Sequence, residues 1–121
     1  METIYKIICI ENQEVKNLFK GIEGTRTLPT NKWLKAEKKM GRDGGNSRWY
    51  LTGIHCLKDK EKAEDYLNNF RTEKERIIVK AKGRGLRQKP TNENVYLADE
   101  IMIPKNNLEK ALTKNGLSDI L

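Results

Sequence analysis

Apolar residues in this chain fall into short runs of two periods, separated by polar stretches rich in lysine and glycine. Ile4 to Ile10 is nearly continuous in β-branched and aromatic residues, broken only by Lys6 and Cys9, which predicts a buried strand. Within Glu11–Gly21, Val15, Leu18 and Phe19 recur at three- and four-residue spacing, predicting a short helix that Gly21 stops. A loop containing Pro29 leads to KWLKAE, Lys32 to Glu37, a short strand with Trp33 pointing inward. KKMGRDGGNSR has no periodicity and reads as a mobile loop. Trp49 to Leu57 is again apolar and β-prone, with Gly53 marking a bulge or the close approach of another backbone.

The second half is more regular. Asp59 is placed as a helix N-cap, and Ala63, Tyr66, Leu67 and Phe70 follow at the spacing of one helical face. RIIVKAK then alternates, with Ile77, Val79 and Ala81 on one face and Ile78, Lys80 and Lys82 on the other. GRGLRQKPTNEN reads as a long irregular loop joining this strand to an antiparallel partner, Val95 to Ile103, which stops at Pro104. Lys105 to Lys114 places Leu108, Ala111 and Leu112 on one face and ends before Asn115-Gly116, predicting a final helix. This order predicts a single α+β domain over residues 1–121, an antiparallel or mixed sheet of about five strands with two to three helices packed on one side.

Charge changes the picture from fold to partner. The net charge of +7 favours a polyanionic partner, namely nucleic acid, a nucleoprotein or an acidic protein surface. The cations cluster in two segments. Lys35, Lys38, Lys39, Arg42 and Arg48 lie in the first, and Lys80, Lys82, Arg84, Arg87 and Lys89 in the second. If the two segments share a face, they form one surface able to neutralise several phosphates. The stretch KAKGRGLRQKP admits two readings. Glycines let backbone amides approach an anion while arginine forks onto phosphate, or the segment is a solvated turn.

Other chemistry is sparse. Cys9 and Cys56 are far apart and read as buried free thiols of a reducing cytoplasm, and one histidine cannot complete a zinc set with them. His55 and Cys56, adjacent on a strand, point to opposite faces and cannot form a nucleophilic pair. Asp99 falls on the apolar face of its strand with Leu97 and Ile101, where a carboxylate requires a partner: an arginine, an N-terminal amide or a substrate. With Glu100 it is the best candidate for any acid–base role. No metal or cofactor is called for, and no membrane span or signal peptide is visible, so the expected location is cytoplasmic.

GIHCLKDKEKAEDYL, followed by RIIVKAKGRG and VYLADEIMIP, resembles the middle and end of small ADP-ribosyltransferase-like domains over about half the chain. That resemblance implies an NAD-using enzyme, with Glu100 at the position of the family's glutamate and Tyr66 at that of its tyrosine. The first strand, TIYKIICI, lacks the histidine or arginine that holds NAD in such enzymes, and the Ser-Thr-Ser element is missing. NKWLKAE, KGRGLRQKP and VYLADEIMIP also look like small proteins carried by phages and other mobile elements. This second resemblance covers most of the chain and implies no chemistry, but it admits a compact accessory protein or an inhibitor that binds a host defence protein or its nucleic acid in the host cytoplasm.

Overall fold

The computed structural model describes residues 1–17, 28–37, 40–42, 49–68 and 75–120. Lys38, Lys39 and Arg48 lie outside the described residues, as do Gly21 and Phe70. The fold is α+β. A five-stranded antiparallel sheet is built from β1 (Glu2–Glu11), β2 (Glu14–Asn17), β3 (Trp33–Lys35), β7 (Glu75–Arg84) and β10 (Glu100–Met102), in the order β2-β1-β7-β10-β3. A three-stranded sheet, β6 (Ile54–Cys56), β9 (Asn92–Ala98) and β8 (Arg87–Lys89), joins it through one bridge between Tyr5 and Leu57. A separate pair is formed by β4 (Met40–Arg42) and β5 (Trp49–Leu51). The helices are α1 (Lys60–Asn68) and α2 (Lys105–Lys114). No helix among the described residues is long and apolar enough to cross a membrane.

Strand β1 organises the core because both of its faces are buried. Ile4 and Ile8 pair across the ladder with Ala81 and Ile77 and face the main core with Val79, Ile101 and Ile103. Leu108, Ala111 and Leu112 of α2 close that side. Each fully buried isoleucine contributes about 1.5–3 kcal/mol relative to exposure. Ile7 faces the other way, where Ala63, Tyr66 and Leu67 of α1 pack on it with Leu57 and Ile78. Helices therefore cover both faces of the sheet, not one as expected, because Ile77 and Ile78 each present a hydrophobic side to be covered.

Several local expectations are corrected. The helix expected over Glu11–Gly21 is replaced, as far as the chain is described, by a hairpin. Asn12 and Gln13 both adopt positive φ, 52° and 64°, and Glu11 pairs with Glu14 across this two-residue turn. Positive φ at both central positions matches the right-handed twist of the flanking strands, and asparagine tolerates it. Trp33 is half-buried and Leu34 is the residue that enters the core. Within the stretch expected to be a mobile loop, Met40–Arg42 pairs with Trp49–Leu51. The strand expected over Trp49–Leu57 breaks into β5 and β6 at Thr52-Gly53.

The largest correction concerns KAKGRGLRQKP. Arg84 pairs with Glu100, Arg87 with Leu97 and Gln88 with Tyr96, so one antiparallel register runs unbroken from β7–β10 into β8–β9. The two arms form one long hairpin bent at Gly85 and Asp99, where Asp99 N–H donates to the Arg84 carbonyl at 2.9 Å. The connecting turn shrinks to Pro90-Thr91. Gly85 sits at φ +62°, and a Cβ there would overlap the Asp99 carboxylate. The glycine thus serves the bend.

Candidate nucleic-acid interface

Arg84, Lys82 and Lys80 project from one face of β7, since alternate strand residues share a face. The sheet register extends this face sideways. Arg84 lies opposite Glu100 and Glu100 opposite Lys35, while Lys82 lies opposite Met102 and Met102 opposite Trp33. Lys35 of the first segment and Lys80, Lys82 and Arg84 of the second therefore lie on the same outer face of the five-stranded sheet, beyond the end covered by α1. Lys35, Lys80 and Arg84 are exposed, and Lys82, Trp33 and Met102 are half-buried.

Two contacts organise this face. The Arg84 guanidinium lies 3.6 Å from the centre of the Trp33 ring, a separation at which the ring quadrupole attracts the cation. Its Nη1 is 3.9 Å from Glu100 Oε2, a loose pair with both groups partly in water. Lys35, Lys82 and Arg84 thus stand around one carboxylate and one aromatic ring, with Lys80 further along β7 on the same face. The charge is only partly neutralised, and the guanidinium is held over the ring.

Arg87 and Lys89 lie on β8 and Arg42 on β4, apart from this sheet. Arg87 donates from Nη1 to the Leu51 carbonyl at 2.7 Å and from Nη2 to the Thr52 carbonyl at 2.8 Å. The same Nη2 lies 3.5 Å from Asp99 Oδ1. Arg87 is a clamp tying the β5–β6 break to the bent hairpin, and of the partners open to Asp99 it makes the arginine the one found. Gly53 makes room for it: a Cβ there would stand 3.0 Å from the Ala98 carbonyl and 3.2 Å from Arg87 Nη2. Lys89 reaches toward Tyr50, its ammonium 5.4 Å from the ring centre. Arg42 enters through its backbone pairing with Trp49.

Comparison with protein-family models, with curated proteins and with solved structures found no match. The interface must therefore be read from its own chemistry.

Glu100 and Tyr66, the pair implied by the transferase-like resemblance, are not brought together. Tyr66 packs over Ile7 and Leu57, against the Ile78 end of β7, whereas Glu100 is opposite Arg84. Six residues of strand separate Ile78 from Arg84, about 20 Å. Among the described residues no group of three His, Cys, Asp or Glu is placed to hold a metal ion.

One ionisable group escaped the sequence reading. Lys6 is 1% exposed, and its Nζ donates to the His55 carbonyl at 2.7 Å. Burial lowers its pKa from 10.5 to about 8, against the smaller opposing pull of the Cys56 and Cys9 thiols. The Cys56 thiol is itself pushed up to about 11, chiefly by burial. The void beside them, lined by Lys6, His55, Cys56 and Tyr66, measures about 10 Å³, room for at most one water. Lys6 is thus a buried link between β1 and β6. Its parity with Ile4 and Ile8 was the available signal.

Proposed function

We propose that the protein is a small non-enzymatic module that binds a nucleic-acid strand, bare or held in a nucleoprotein, on the outer face of its five-stranded sheet. The observation that carries this reading is the Arg84 guanidinium laid on Trp33 amid Lys35, Lys80 and Lys82. Single strands are held by basic side chains that follow the backbone and by flat groups on which bases stack. The free side of the guanidinium offers a base a stacking surface already backed by an indole. Lys80 and Lys82 stand on β7, and Lys35 stands on β3 across the intervening β10.

Fluorescence anisotropy with a labelled oligothymidylate tests this. With four cations engaged, the logarithm of the binding constant falls with the logarithm of salt at a slope of roughly −3, and Arg84→Ala reduces that slope by about 0.7. Trp33→Ala weakens binding by about 1–3 kcal/mol if a base stacks there. Binding that Trp33→Ala and Arg84→Ala both leave unchanged would overturn the assignment.

A further inference from the structure

The edge of β7 changes character along its length. β10 covers it only at Lys82, Gly83 and Arg84, and no described strand pairs with the stretch before Lys82 on that side. Asn107 Nδ2 donates to the Lys80 carbonyl at 3.0 Å, which shows that this carbonyl points away from β1. In a strand the N–H and C=O of one residue point to the same side and alternate residues agree. The Lys80 carbonyl is thus already taken by Asn107, and the outward groups left to a peptide here are the Lys80 N–H and the N–H and C=O of Ile78.

This edge floors a groove of about 550 Å³ between the two helices. Lys60, Glu64 and Leu67 of α1 line one wall, and Lys110, Ala111 and Lys114 of α2 the other. Tyr5, Ile78 and Lys80 complete the floor. Four lysines face one glutamate, so the groove is strongly cationic at its rims and apolar at its base.

We propose that this groove docks an extended acidic peptide segment of a partner protein, which adds as a strand to the outward edge of β7. An exposed strand edge supplies main-chain hydrogen bonds to a peptide, and pockets on either side read its alternate side chains. Here both walls offer ammonium groups, so alternate side chains on either side of the added strand meet lysine when they are carboxylates. A second copy of this chain is a poor occupant, because pairing two such edges sets lysine rims against each other. Nucleic acid lacks the alternating amide donors and carbonyls that the floor requires. The proposal is independent of the nucleic-acid reading, since of the cations on the sheet face only Lys80 also lines the groove.

The test uses a fluorescein-labelled octapeptide alternating glutamate and valine, titrated into the full chain. Binding is expected, with slowed amide exchange at Ile78. Lys60→Glu combined with Lys110→Glu takes the groove lining from a charge of +3 to −1 and weakens binding at least about tenfold. Both side chains are exposed, and an unchanged melting temperature verifies the fold. N-methylation of alternate peptide amides should cost a comparable factor in one of its two phases. Failure of the octapeptide to bind overturns the proposal, as does indifference to N-methylation in both phases or sensitivity to Trp33→Ala instead of the groove variant. An oligothymidylate whose binding is lost in the groove variant and that displaces the peptide assigns the groove to nucleic acid and overturns it too.

Discussion

Arg84 and Arg87 stand three residues apart in one basic stretch, yet their replacement should have opposite consequences. Arg87 donates two charge-assisted hydrogen bonds, to the Leu51 and Thr52 carbonyls, and lies 3.5 Å from Asp99 with its side chain 33% exposed. Each such bond contributes about 1.5–3 kcal/mol, and partial exposure lets water replace part of the loss. Arg87→Ala should therefore destabilise the fold by about 2–4 kcal/mol. At the entropy of unfolding typical for this chain length, that lowers Tm by roughly 8–16 °C. Arg87→Lys, which keeps the charge but not the planar fork, should fall about halfway. Arg84 is exposed, with a loose partner in Glu100 and one ring contact, so Arg84→Ala should stay within about 1 kcal/mol of the wild type. Thermal unfolding followed by circular dichroism gives stability, and the oligothymidylate titration gives the salt slope. Arg84→Ala is expected to change the slope but not Tm, and Arg87→Ala the reverse. Equal loss of stability in both, or a slope change in Arg87→Ala with Tm unmoved, would refute the division of labour.

Gly85→Ala forces a side chain into positive φ and against the Asp99 carboxylate, so a chemical denaturation series should show a loss of about 1–3 kcal/mol. Gly116→Ala, also at positive φ but with nothing near its Cβ, should cost less. Lys6 predicts a pH dependence. Its folded pKa of about 8 lies below the ordinary 10.5, so below pH 8 both states are protonated and the folded state carries the full cost of burying the charge. Between those values the folded protein sheds the proton first, and stability rises with pH. Cys56, raised to about 11 from 9.0, pulls the other way over an overlapping range. Wild-type stability measured against Lys6→Met should therefore climb by up to roughly 3 kcal/mol from pH 8 to 10.5, and a flat difference would contradict the buried ammonium.

Where a segment repeats one period over several residues, its structure was legible in advance. Ile77, Val79 and Ala81 alternate onto the core, Leu108, Ala111 and Leu112 share a helical face, and Asp59 accepts the Glu61 N–H at 2.8 Å as an N-cap should. Val15 was expected in a helix, but the turn-forming Asn12-Gln13 sets it in β2, while Leu18 and Phe19 lie outside the described residues. Trp33 and Leu34 are both apolar, so alternation alone cannot decide which one turns inward. The stacked guanidinium of Arg84 lets Trp33 remain on the outer face. The basic stretch was visible as charge, but charge does not reveal that Arg87 aims at carbonyls. That depends on the bend at Gly85 and Asp99 and on the break at Gly53, contacts between residues more than thirty positions apart along the chain. The groove was hidden for a related reason, since its lysines come from two helices and a strand brought together only by the fold.

The bent hairpin is a member of both larger sheets at once, with β7 and β10 in one and β8 and β9 in the other. A residue gained or lost anywhere between Arg84 and Gln88, or between Tyr96 and Glu100, would turn every following side chain to the wrong side of its sheet. Variation in length is therefore confined to the tip, where the register already slips between Gln88 and Lys89 before Pro90-Thr91. Related chains of different size, or an inserted epitope, would find their natural place at that tip, leaving the Trp33–Arg84 surface and the helix-flanked edge of β7 undisturbed.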